Sequence, residues 1–158
     1  LFSYFYFFLN ILFAHLPVSG SPKYETFKTK YTTTYYTNNE ALSDFIWRIS
    51  GGSIKQSEDF RLAKNIVDKI VKRVETILDM HPDNLHIDIS LDETYKGGLV
   101  AFYADKDDII IVHANEITEG VFARQIARAI ICSYFEVVPS KRVQDILSQY
   151  VDTHLWAN

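Results

Sequence analysis

The sequence predicts an α+β domain in which a mostly antiparallel sheet, carrying an edge hairpin, packs against helices. Three observations carry this expectation. Leu85-His86-Ile87-Asp88-Ile89-Ser90-Leu91 alternates apolar and polar residues, the pattern of a strand with one wet face. Two β-prone runs, 99–104 and 109–113, flank a tight Asp105-Lys106-Asp107-Asp108 turn and read as a hairpin. Leu62, Ile66, Ile70, Val74 and Ile77 recur three or four apart, which marks an amphipathic helix.

The remaining elements follow in order. Tyr24 to Thr37 alternates aromatic and β-branched residues with lysine and threonine, so one strand is expected there, ended by Asn38-Asn39. Ala41 to Ile49 suits a short helix closed by Gly51-Gly52. The long helix is expected to start at Ser57 or Glu58 and stop at His81-Pro82-Asp83-Asn84. Gly97-Gly98 turns the chain into the hairpin. Thr118 is placed to cap a helix running to about Phe135, with Glu119 in the first turn suiting the helix dipole. Pro139 breaks the chain, and a last helix is expected over about Ser140 to Leu155.

Composition narrows the function classes. The chain has 158 residues, 47% of them hydrophobic, which is one domain's worth of core. Lys and Arg number 16 against 20 Asp and Glu, so no basic surplus exists to hold nucleic acid. Cys132 is the single cysteine and cannot form an internal disulfide. Residues 1–20, LFSYFYFFLNILFAHLPVSG, carry no charge and end in small residues suited to signal-peptide cleavage before Ser21. The expected arrangement is therefore a signal peptide over 1–20 and a single exported domain over 21–158, periplasmic or extracellular. The competing reading is an uncleaved anchor, with membrane contact confined to this segment; Asn10, His15 and Pro17 interrupt its apolar run.

The stretch from Gly97 to Phe135, GGLVAFYADKDDIIIVHANEITEGVFARQIARAIICSYF, resembles the catalytic core of zincin metallopeptidases of the gluzincin, or peptidase MA-like, group. In that family an edge strand holds the substrate, a helix bearing HExxH follows, and a later helix supplies a glutamate as third zinc ligand. Two histidines four apart reach one zinc ion from one helical face, and the adjacent glutamate serves as general base. Here Arg124 and Arg128 stand at the two histidine positions and Gln125 at the glutamate. Asp145-Ile146-Leu147-Ser148-Gln149-Tyr150-Val151-Asp152 resembles the third-ligand helix, with Asp145 at the ligand and Tyr150 at the aromatic that commonly follows.

The substitutions decide the chemical expectation. A guanidinium stays protonated and offers donors only, so it cannot coordinate a metal. A carboxamide cannot take a proton from water. Zinc, the cofactor the resemblance implies, is therefore not expected, and neither is hydrolysis by the usual route. Basic residues four apart also suit a plain solvated helix face. The more specific expectation is that Arg124 and Arg128 both pair with Asp145 where zinc would have tied the helices together.

The leading functional expectation is a pseudoenzyme that binds a peptide or protein partner. Its binding residues would be Arg124, Arg128, Asp145, Tyr150, Ile111 and His113, with Asp108 to His113 as the edge strand that accepts an extended peptide. The alternatives are an active zinc peptidase using other ligands, or a structural envelope protein. His113, Glu116 and Glu119 were the other metal candidates, but they straddle a strand end and a helix start. Cys132 lies among Ile130, Ile131 and Tyr134 and reads as a buried thiol.

Overall fold

The computed structural model describes residues 23–54, 60–92 and 98–157. The expected signal peptide, the start of the long helix at Ser57 or Glu58, and Gly97 lie outside these residues.

The aromatic run after residue 23 forms two strands, where one was expected. β1 (Glu25–Lys28) and β2 (Thr32–Tyr36) pair antiparallel. The reversal uses threonine where glycine, proline or asparagine would announce a turn. The Thr29 hydroxyl accepts the backbone N–H groups of Tyr31 at 3.2 Å and Thr32 at 3.0 Å. Asp68, from the long helix, accepts Lys30 N–H at 3.2 Å. A side chain 38 residues away thus helps to fix a turn that local composition hides.

Helix α1 (Asn39–Ile49) starts where Asn38 Oδ1 accepts Ala41 N–H at 2.7 Å. Helix α2 (Phe60–Leu78) buries Ala63, Val67, Ile70, Val71 and Val74. β3 (Ile87–Leu91) follows, then the hairpin of β4 (Ala101–Ala104) and β5 (Ile109–Val112). Helix α3 (Glu119–Tyr134) begins at Thr118, whose hydroxyl accepts Val121 N–H at 3.3 Å, as its position suggests. Helix α4 (Lys141–His154) completes the order. No helix among the described residues is long and apolar enough to cross a membrane.

The sheet order is β1-β2-β3-β5-β4, and the sheet is mixed. β1/β2 and β4/β5 are antiparallel, whereas β2/β3 and β3/β5 are parallel. The expected antiparallel majority fails for a topological reason. The connection from β2 to β3 runs through both α1 and α2, long enough to return the chain in the same direction. The hairpin then docks with its second strand inward. β5 therefore lies between β3 and β4, and the edge is β4 rather than the expected 108–113 strand.

Alternate residues of the strands give the core. Ile87, Ile89, Ile110, Val112 and Tyr103 are buried with Phe45, Phe122, Ile126 and Ile130 from the helices in one cluster. The opposite sheet face carries Asp88, Ile109 and Ser90, Ile111, Phe102 in adjacent registers.

Candidate functional site: the cleft between the last two helices

The third helix turns Phe122, Ile126 and Ile130 into the core, which leaves Arg124 and Arg128 to flank the fourth. Arg128 Nη2 donates to Asp145 Oδ1 across the gap. Arg124 departs from the expected arrangement: its Nε lies 3.5 Å from Asp152 Oδ2, not from Asp145. Two separate cation–carboxylate pairs thus span the helices. Arg124, Gln125, Arg128, Asp145, Ser148 and Gln149 line a cleft of about 290 Å³.

Gln125 faces a different partner from a water-activating base. It is 8% exposed, and its Oε1 accepts the backbone N–H of Tyr103 at 3.0 Å. The Nε–H groups of Arg124 and Arg128 are shielded from solvent and have no hydrogen-bond acceptor. For Arg124, the nearby Asp152 carboxylate supplies attraction without hydrogen-bond alignment.

The fourth helix buries Val151 in the core, and Leu155 follows it there, while its first half turns polar side chains inward. Gln144 and Ser148 are each only 2% exposed. Gln144 Nε2 donates to Pro139 O at 2.8 Å, and Ser148 Oγ donates to Gln144 O at 2.6 Å. Gly120 admits the far end of this helix. A Cβ there would stand 2.1 Å from Asp152 Oδ1, so any side chain would push that carboxylate away from its seat beside Arg124.

Several expected site residues lie elsewhere. Ile111 points to the sheet face opposite the core, in register with Ser90 and Phe102. β-strand side chains alternate between faces, and the buried neighbours Ile110 and Val112 fix which set turns inward. Tyr150 is 49% exposed and stacks on His154 with ring centroids 4.0 Å apart, outside the cleft. His113 follows the end of β5 and does not line the cleft either. Among the described residues no three His, Cys, Asp or Glu side chains gather as a metal site, His113, Glu116 and Glu119 included. Cys132 is half-buried, and burial pushes its thiol up, which disfavours the thiolate.

Asp152, Ser148, Gln149 and Gly120 escaped the sequence reading. A signal for Asp152 was present: it follows Asp145 by seven residues, two helical turns on one face. The chain matches no family model, no curated protein and no solved structure.

Zinc does not fit the residues at this cleft. Both candidate ligand positions hold permanent cations, the carboxylates are engaged by them, and the Gln125 oxygen is occupied by Tyr103 N–H.

Proposed function

We propose that this chain is a zincin-like domain that has exchanged zinc for two arginine–carboxylate pairs and works by binding a peptide or protein partner outside the cytoplasm. One observation carries the reading. Residues far apart in sequence, at the positions the family uses for ligands and base, come together on one cleft: Arg124, Gln125 and Arg128 from one helix, Asp145 from the next.

The charge pattern of the cleft is inverted relative to a metal site. At the two histidine positions cations stand in place of neutral ligands, while the carboxylate at the third position pairs with Arg128, which ties the helices without coordination chemistry. The pairs are partly solvated, so their role is geometric more than stabilising. A partner would meet a polar, charge-balanced pocket beside the β4 edge, where Gln125 Oε1 accepts the Tyr103 N–H, and would add there as a strand.

The test restores the ligands. Arg124→His, Gln125→Glu and Arg128→His together should create zinc affinity, read by equilibrium dialysis, with Asp145 as third ligand. A folded triple variant that binds no zinc sinks the family reading. Wild-type protein that purifies with about one zinc per chain and loses peptidase activity to a chelator sinks the pseudoenzyme reading instead.

A further inference from the structure

The β4 edge is closed by the protein itself. His113 N–H donates to Val100 O at 2.8 Å, so the backbone groups of Val100, Phe102 and Ala104 face β5. By alternation, those of Ala101 and Tyr103 face outward, where an added strand would pair. The outward N–H of Tyr103 is already taken by Gln125 Oε1, from a side chain that is almost wholly buried. An incoming strand must therefore remove that carboxamide before it can bond in register.

Gln125 shares its cleft with two further hydrogen-bond donors. Gln125 lines it together with Arg124 and Arg128. Both of those arginines hold a shielded Nε–H with no acceptor. A buried donor without an acceptor is costly, and a carboxamide oxygen is the kind of group it lacks.

We propose that Gln125 is a latch on the β4 edge: its carboxamide holds the Tyr103 N–H when the edge is closed and turns to the arginine Nε–H groups when an extended peptide pairs with Ala101 and Tyr103. The inference rests on the binding reading above. The latch disfavours non-specific edge pairing, because any strand must compete with an intramolecular acceptor already in place.

The test compares wild type with Gln125→Met, which keeps bulk but removes the acceptor, and Gln125→Ala. Two quantities are read: hydrogen exchange of the Tyr103 amide, and binding of a short acetylated, amidated peptide of alternating threonine and valine. Both variants should exchange Tyr103 about tenfold faster and bind the peptide about tenfold more tightly. Unchanged exchange in the Met variant overturns the latch, as does equal peptide affinity in all three proteins. Faster exchange with no peptide bound by any of the three overturns the reading of the edge as a binding surface, and the gating with it.

Discussion

The two helices that frame the cleft bury surface in different proportions of apolar to polar. The third is anchored by apolar side chains: Phe122, Ile126 and Ile130 are fully buried, and the Phe122 ring meets Phe45 edge-on with centroids 5.2 Å apart. The fourth buries Val151 together with the polar Gln144 and Ser148, while Val143, Ile146 and Tyr150 stand in solvent. One helix is held by a long apolar face removed from water, the other by a shorter apolar contact at Val151 and Leu155 together with two ion pairs. Apolar periodicity can locate both helices. It cannot say which face of the fourth turns inward.

The largest break should come on the apolar side. Phe122→Ala is expected to cost about 3–5 kcal/mol in urea unfolding, because it opens a cavity and removes the contact with Phe45. A loss under about 1 kcal/mol would mean that this helix is not the anchor. Gln144→Ala should cost less, about 1–3 kcal/mol, as the Pro139 carbonyl loses its donor at the entrance to the fourth helix. If it matched Phe122→Ala, the contrast between the helices would disappear. Asp145→Ala is expected to cost about 1 kcal/mol or less, since the carboxylate side is 58% exposed, and the loss should shrink with added salt. A salt-independent loss would place the pair in a drier setting than its exposure indicates.

The smallest effect lies outside both helices, on the far face of the sheet. Burial raises the Asp88 carboxyl above its ordinary value and Asp108 adds to this, outweighing the opposing help from His86 and Tyr35. The folded state therefore holds that proton more tightly than the unfolded chain. Its contribution is complete below the unfolded pKa and is lost as pH rises through the folded value. Asp88→Asn should accordingly gain stability relative to wild type at neutral pH and lose that advantage in acid. Thermal melts across the two conditions check the sign, and a relative gain that grew in acid would contradict it.

Much of the architecture was legible because its determinants are local. The alternation at Ile87–Leu91, the hairpin of Ala101–Ala104 with Ile109–Val112, and Thr118 as a cap all appear as read. The strand before Asn38 was misread because its turn depends on the Thr29 hydroxyl and on Asp68, neither of which carries a compositional mark. The assignment of Asp108–His113 to the edge failed because a hairpin's own sequence does not say which of its strands meets the rest of the sheet. Ile111 and Tyr150 left the site for a related reason: facing is set by partners, not by propensity.

By itself the sequence determined where the helices, β3 and the β4/β5 hairpin form, though not the break between β1 and β2, and which chemistry is available at the cleft. Guanidinium groups at 124 and 128 exclude metal ligation by those side chains, and the carboxamide at 125 excludes base catalysis, whatever the fold. Only the tertiary structure decided that Arg124 goes to Asp152 while Arg128 alone keeps the expected pairing with Asp145, and that Gln125 closes the edge at Tyr103. Functional-group chemistry belongs to each residue alone. Pairing depends on which groups packing brings together across 17, 28 and 22 residues of chain, and no local pattern encodes it.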